Sequence, residues 1–271
     1  MDQERNIGFI GAGNMTGAIV KGLVAVGKVE GGRILIHDVA AERMEDLASR
    51  YGVTPVAGNE ELCRRSQVVV LAVKPQAMGG VLKEIGGMVD ESKLLVSIAA
   101  GISLFKIESR LRQKTRLIRV MPNAPLLVGK GMSAMTCGSS VREEDRRYIQ
   151  DLFGTVGRVV EVDERQMDAV TALSGSGPAY VFLFLEALAD AGVKIGLSRS
   201  QARLLAVQTV RGSAEMALAD PRHLMELKDL VTSPGGTTIH ALHRLEAGGV
   251  RGAVISAVEA AWLRARELGE E

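Results

Sequence analysis

The chain has 271 residues, enough for two modest domains or one large one, and 46% of them are hydrophobic, so a substantial core can form. With 33 basic residues against 32 acidic, the formal net charge is +1, and nothing in the balance favours nucleic acid or an anionic membrane as a partner. Two cysteines, Cys63 and Cys137, lie far apart with no CxxC or zinc-type spacing, the pattern expected of reduced thiols in a cytoplasmic protein. The chain opens on a strand pattern with no signal-peptide layout. Its most apolar run, residues 179–185, is bounded by Pro178 and Glu186 and falls well short of the ~20 residues that span a bilayer, so no membrane segment is expected.

The first half alternates short apolar runs with amphipathic stretches. Residues 6–10 read as a buried strand and 14–26 as the helix after it; 33–37 read as a second strand and 40–51 as its helix. Residues 68–73 are almost pure Val, Leu and Ala, as a central parallel strand covered on both faces requires. Further strands are expected at 94–98, 117–120, 132–136 and 158–162. This β-α-β rhythm predicts an α/β fold with a doubly wound, mostly parallel, Rossmann-type sheet. The rhythm stops near Asp163, and only helical signals follow. Ser198-Arg199-Ser200-Gln201 reads as a capping box, Asp220-Pro221 as an N-cap with proline at the first helical position, and Gly248-Gly249 as a left-handed helix stop. The expected domains are 1–162, binding a dinucleotide, and 163–271, all helical. Phe182, Leu183, Phe184 and Leu185 are consecutive, so their helix must be buried on every side, and packing against a second copy of the chain achieves that.

Two glycine-rich turns carry the chemistry. In Gly8-Phe9-Ile10-Gly11-Ala12-Gly13-Asn14-Met15, Gly11 permits a tight turn after the first strand and Gly13 lets the backbone approach a pyrophosphate. Thr16 replaces the usual third glycine, and Gly17 follows it. Asp38 ends the second strand, where an acid accepts hydrogen bonds from the adenosine ribose and disfavours a 2′-phosphate; the same acid also suits a helix cap. His37 and Arg43 are near enough in sequence to offset its charge, so NADH and NADPH both stay open. Ala72-Val73-Lys74-Pro75 ends the central strand, and Ser97-Ile98-Ala99-Ala100-Gly101 ends the next, both at the strand ends that face a ligand crevice. The second turn, Ser233-Pro234-Gly235-Gly236-Thr237-Thr238, runs into a helix and aims free amides, two hydroxyls and a positive dipole end at one point, which suits a small carboxylate. Ser174-Gly175-Ser176-Gly177-Pro178 suits close approach of substrate to nicotinamide and equally suits a plain interhelical turn. Met121-Pro122-Asn123-Ala124-Pro125 reads as a rigid loop at the cleft and nearly as well as a purely structural proline turn.

Residues 8–15, 72–75, 121–125, 173–180 and 229–242 together resemble pyrroline-5-carboxylate reductases, in the right order and over almost the whole chain. The resemblance implies reduction of 1-pyrroline-5-carboxylate to L-proline with NADPH or NADH, the last step of proline biosynthesis, by a homodimer formed through the helical domain, often five dimers in a ring. It implies that Gly11, Ala12, Gly13, Asn14 and Met15 hold the cofactor phosphates and that His37 and Asp38 lie at its adenosine end. Asn59 would contact the cofactor, Ala72, Val73, Lys74 and Pro75 would line the ribose, and Ala99 and Ala100 would lie near the nicotinamide. Ser176, Gly236 and Thr237 would bind substrate, and Thr238 would place its hydroxyl on the ring nitrogen as the catalytic residue. His37 and Asp38 depart from the small or basic residues usual there, and Leu224 stands where proline is usual.

Two rivals share the cofactor half. A β-hydroxyacid dehydrogenase carries a catalytic lysine on the first long helix of its second domain, and residues 178–185 contain none. A non-catalytic NAD(P)-sensing protein would have no need of the carboxylate-ready turn. His240 and His243 have a metal-compatible spacing but no third ligand nearby, so no metal is expected.

Overall fold

A computed structural model describes residues 5–112 and 114–270. The chain divides into two compact units: one runs to Ser176 and takes in the last residues from Ala261, and the other is Gly177–Ala260.

In the first unit, eight strands among the described residues form one sheet. They are β1 (Ile7–Ile10), β2 (Ile34–His37), β3 (Thr54–Pro55), β4 (Val68–Leu71), β5 (Leu94–Ser97), β6 (Arg116–Pro122), β7 (Gly131–Cys137) and β8 (Gly157–Glu161). Their order is β3-β2-β1-β4-β5-β6-β7-β8, parallel throughout except where β6 meets β7. The helices of this part are α1 (Asn14–Ala25), α2 (Ala41–Tyr51), α3 (Asn59–Arg65), α4 (Pro75–Ile85), α5 (Leu104–Glu108), α6 (Glu143–Gly154) and the single turn α7 (Met167–Val170). This is the doubly wound, mostly parallel sheet that the sequence rhythm predicts.

Strand residues alternate between the two faces because successive side chains of a strand point opposite ways. Ile7, Phe9, Ile34, Ile36, Val68, Val70, Leu94 and Val96 enter one core, and Ile10, Leu35, Val69, Leu71, Leu95 and Leu117 enter the other. Each fully buried Ile, Leu or Phe contributes ~1.5–3 kcal/mol relative to exposure. At the edge, β3 has only two residues and carries Pro55, which limits strand addition there. The strand order reverses between β1 and β4, so the crevice of this sheet opens where those two strands end.

Charged groups tie the later strands to their helices. The buried Asp145 of α6 accepts from Arg116 Nη1 at 2.7 and 2.8 Å and, as the N3 residue of its helix, from the Arg142 N–H at 3.2 Å. Glu164 Oε1 accepts from Arg119 Nη1 at 2.9 Å and from the Leu104 N–H at 3.0 Å, joining the segment before α7 to β6 and α5.

The second unit is helical: α8 (Gly177–Lys194), α9 (Arg199–Ala219), α10 (Leu224–Leu230), α11 (Thr237–Ala247) and the start of α12 (Val250–Glu270). The capping box is present: the Gln201 N–H donates to Ser198 Oγ and Gln201 Oε1 accepts from the Ser198 N–H. Gly249, with φ +71°, is the left-handed residue between α11 and α12. α8 packs on α9 through small residues: a Cβ at Gly192 would lie 2.8 Å from Ala202 Cβ, and Ala189, Ala202 and Ala206 are the buried residues of this pair. The large apolar side chains face outward instead, with Phe182, Leu183 and Leu204 each at least 66% exposed.

The last strand ends at Glu161; by contact the chain divides further on, at Ser176, where Asn123 and Arg119 bind the segment that follows β8 into the first unit, and the end of α12 also belongs there. Two expectations are corrected. Asp220 caps no new helix: its carboxylate is taken by Arg222, through backbone N–H and guanidinium, and His223 caps α10 instead, with Nδ1 accepting from the Met225 N–H at 3.3 Å. Finally, counting only the unbroken apolar run understated the apolar helix: the helical stretch Glu164–Lys194 is long and apolar enough, by length and composition, to cross a membrane, because Gly, Ala, Ser and Thr prolong it.

Candidate active site

The first glycine turn is built at the strand-order reversal. Gly11 has φ +105°, a left-handed conformation that favours glycine, and a Cβ there would lie 2.6 Å from Ala72 O. The turn is therefore pressed against the end of β4. Hydrogen bonds complete it: the Gly11 N–H donates to His37 O (2.7 Å), the Ala72 N–H to Ile10 O (2.8 Å), and the buried Thr16 hydroxyl to Gly11 O (2.7 Å). Thr16, at the third-glycine position, thus acts as a brace. Gly13 is different. Its backbone is extended, and a Cβ would meet nothing within 4 Å. That open space belongs to a cavity of about 650 Å³ lined by Ala12, Gly13, Asn14 and Lys74, together with Gly17, Lys21, Arg43, Asp46 and Arg50. A space that a Cβ would begin to fill, at a helix N-terminus and lined by Lys21, Arg43, Arg50 and Lys74 beside Glu42 and Asp46, fits a dinucleotide pyrophosphate.

Other residues singled out in the sequence fall around this turn in distinct ways. Asp38 Oδ2 accepts from the Ala12 N–H at 2.7 Å and Oδ1 from the Ala40 N–H at 2.9 Å; the His37 ring bonds Val56 O through Nδ1 at 3.1 Å. Asn59 is buried, donates through Nδ2 to Glu84 at 2.8 Å, and its buried Oδ1 has no partner. Lys74 is exposed and precedes Pro75, the first residue of α4. Pro75 and Ala100 line a second cavity of about 580 Å³ with Gly101, Lys106 and Arg110. Ala99 is buried, and Met15 packs partly buried against the core. Ala72 and Val73 are half-buried.

Sequence reasoning missed Lys21 and Arg50 as cavity residues. The signal was helical spacing: Asn14, Gly17 and Lys21 recur at i, i+3, i+7 on α1, and Arg43, Asp46 and Arg50 do so on α2, placing each trio on one face. Gly17 lets these faces approach, since its Cβ would lie 3.3 Å from Leu47 Cδ2.

Two motifs that are far apart in sequence meet in the first unit. Asn123 Nδ2 donates to Ser174 O (3.2 Å) and Ser174 Oγ (3.3 Å), while its Oδ1 accepts from the Met132 N–H (2.9 Å). Thr171–Gly175 form a single π-helical turn closed by the Ser176 N–H on Thr171 O at 2.9 Å, and a Cβ at Gly175 would lie 2.7 Å from Met121 Cε. Ser176, at the end of that turn, is half-buried.

In the second unit, Ser233-Pro234-Gly235-Gly236 closes with the Gly236 N–H on Ser233 O at 3.1 Å. Proline at the second position and Gly235 at the third with φ +67° are the residues a type II turn demands. Gly236 sits close to Ser233: a Cβ there would lie 2.3 Å from Ser233 Oγ, so that hydroxyl would have to turn away. Gly236 is the N-cap of α11 and supplies no side chain to the first amides, so those of Thr237 and Thr238 are left for a ligand. Thr238 is half-buried and Thr237 exposed. Asp229 pairs with Lys228 at 2.9 Å, and His240 bonds Gly236 O at 3.0 Å. Both act as local braces.

Both cysteines are free, and burial pushes each thiol up to about 11. Neither is therefore a thiolate at neutral pH. An alkylating reagent at neutral pH is expected to label the denatured chain at both positions and the native chain at neither. In alkaline solution the unfolded thiols ionise first, near their ordinary value of 9.0, while the folded ones hold their protons to about 11. The unfolded state binds fewer protons in that window, so stability falls as pH rises through it.

Known proteins identify the family. A family model described as pyrroline-5-carboxylate reductase dimerisation matches residues 164–268, and one described as NADP oxidoreductase, coenzyme F420-dependent, matches residues 6–101. The chain is 46% identical to pyrroline-5-carboxylate reductase of Pisum sativum over 99% of its own length and 97% of that protein. It is 42% identical to that of Methanosarcina acetivorans, over 99% and 100%. Among solved structures, the reductase from Coxiella burnetii superposes with a TM-score of 0.92 at 38% identity, covering 97% of this chain and 98% of that one. The Plasmodium falciparum enzyme, solved with NADP bound, superposes with a TM-score of 0.89 at 36% identity, covering 98% and 99%. With a glycine cradle at the strand reversal, a Pro-Gly-Gly-Thr-Thr helix start, and likeness over nearly the whole length to plant and archaeal enzymes alike, the chain belongs to the pyrroline-5-carboxylate reductase family.

Proposed function

We propose that this protein reduces the C=N bond of 1-pyrroline-5-carboxylate to give L-proline, using NADPH or NADH. The observation that carries the reading is the type II turn that opens α11 with two unclaimed amides and two threonine hydroxyls, in a chain whose other unit holds the dinucleotide cradle. When bound, the reduced nicotinamide supplies the hydride.

The residues divide the remaining work. The free amides of Thr237 and Thr238 hold the substrate carboxylate at the positive end of α11, beside Gly236, whose own N–H closes the turn. The Thr238 hydroxyl holds the ring nitrogen, and Ser176 offers a second small polar contact. The cyclic imine is basic enough to take its proton from water, which fits a substrate segment, residues 230–242, that contains no Asp, Glu or Lys. Gly11 to Met15 hold the cofactor phosphates, with His37, Asp38 and Asn59 on its adenosine side. Ala72, Val73, Lys74 and Pro75 line its ribose, and Ala99 and Ala100 flank the nicotinamide. The chain's contribution is positioning of two bound molecules, which alone supplies several kcal/mol of barrier reduction in favourable cases.

Two copies join through the helical unit and cover Phe182, Leu183 and Leu204, and five such dimers form a ring. The exposed apolar side chains and the dimerisation match support the first step. The two free thiols agree with a reducing, cytoplasmic setting.

The test is to follow loss of reduced-nicotinamide absorbance with 1-pyrroline-5-carboxylate and to identify the product. Stoichiometric L-proline is expected. No oxidation with either nucleotide would overturn the reading.

A further inference from the structure

The cradle carries a charge arrangement that bears on which nucleotide it takes. Two hydrogen bonds lock the end of β2 to the glycine turn: the Gly11 N–H on His37 O, and the Ala12 N–H on Asp38 Oδ2, each 2.7 Å. The second oxygen of Asp38 is fixed by the Ala40 N–H at 2.9 Å. The carboxylate is thus held at one place beside the turn that receives the pyrophosphate, with its side chain only 10% exposed.

In a sheet of this topology the adenosine ribose lies at the end of the second strand. Each oxygen of Asp38 accepts from one amide, and a carboxylate oxygen can accept a second hydrogen bond. A ribose 2′-hydroxyl donates to such an acceptor. A 2′-phosphate brings acceptors and negative charge to the same spot, where the carboxylate has nothing to donate and repels it.

The opposing candidate is Arg43, whose Nη1 is 3.9 Å from Asp38 Oδ2, beyond hydrogen-bond distance. Its side chain is 58% exposed, so solvent screens it, and it rides on a long stem, whereas Asp38 is pinned and shielded. Arg50 is committed to Asp46 at 2.9 Å, and Glu42 adds a further negative charge to the cavity wall. The fixed, poorly screened charge decides the balance.

Resting on the reductase reading above, we propose that this chain is selective for NADH over NADPH and that Asp38 sets the selectivity. The Plasmodium relative was solved with NADP, so the proposal separates the two proteins.

The experiment is direct binding without substrate: NADH and NADPH titrated separately into the full-length protein by calorimetry, for wild type and Asp38→Asn, with thermal melts to confirm that the variant is folded. Wild type is expected to bind NADH at least tenfold more tightly, and Asp38→Asn to close that gap at least tenfold by tightening NADPH. Equal or tighter NADPH binding by wild type overturns the selectivity, whatever the variant does. An NADH preference that persists undiminished in a folded Asp38→Asn overturns the assignment to Asp38. Either result leaves the reductase reading intact. If neither nucleotide binds, that reading itself falls, and this proposal with it.

Discussion

Replacing Thr238 with alanine is expected to lower kcat roughly tenfold to a hundredfold while leaving nucleotide affinity unchanged. The size of the effect is that of the bond removed: a hydrogen bond to a charged group is worth about 1.5–3 kcal/mol net, and every ~1.4 kcal/mol is tenfold in rate. The change is clean structurally. Thr238 sits in the first turn of α11, where alanine is a good helix former, and the N-cap of that helix is the Gly236 backbone, which the substitution does not touch. Thr238→Ser keeps the hydroxyl and is expected to retain most of the activity. Steady-state kinetics with saturating nucleotide, beside a nucleotide titration, separates the outcomes. Wild-type turnover in the alanine variant would remove Thr238 from the reaction.

Gly13→Val is expected to raise the Kd for the nucleotide roughly a hundredfold, about 2.7 kcal/mol, with little change in fold. Gly13 has φ −77° and ψ −175°, an extended conformation open to any residue, and nothing lies within 4 Å of its Cβ position. The new side chain instead occupies the space where the pyrophosphate approaches the backbone. Valine is a poor N-cap, which accounts for about 1 kcal/mol of helix stability and no more. The neighbouring Gly11 offers no such separation, because its positive φ and its contact with Ala72 O would strain the fold as well. Calorimetry of nucleotide binding and a thermal melt on the same sample check both halves. A variant that folds and binds as wild type does would place the phosphates elsewhere.

Much of the architecture was legible because it rests on local rules. Val68–Leu71 and Leu94–Ser97 announce buried parallel strands by composition, the Ser198 and Gln201 pair announces a helix start, and Pro234-Gly235 announces a turn whose third residue needs positive φ. Features set by long-range partners were not legible. The bond from Arg119 to Glu164, 45 residues on, carries the segment after β8 into the first unit. Asp220 looked like a cap, but its carboxylate accepts from both the backbone N–H and the guanidinium of Arg222 in a local turn, and the next helix starts only at Leu224. In the candidate site, Ala12, Gly13, Asn14 and Lys74 share one cavity as the motif implied, but Lys21 and Arg50 reach it only because α1 and α2 turn matching faces toward it. Asn59 was singled out by resemblance alone, and it lines neither cavity around the turn.

The second unit fills its own α8–α9 seam with glycine and alanine and leaves phenylalanine and leucine outside. Methyl-sized groups bury too little area to hold such helices in place unaided. By mass action, the resilience of this half then becomes a property of protomer concentration: dilution weakens it and crowding of like chains strengthens it. A lesion on those outward rings would be felt first as loss of lifetime in the cell, ahead of any loss of turnover per surviving molecule.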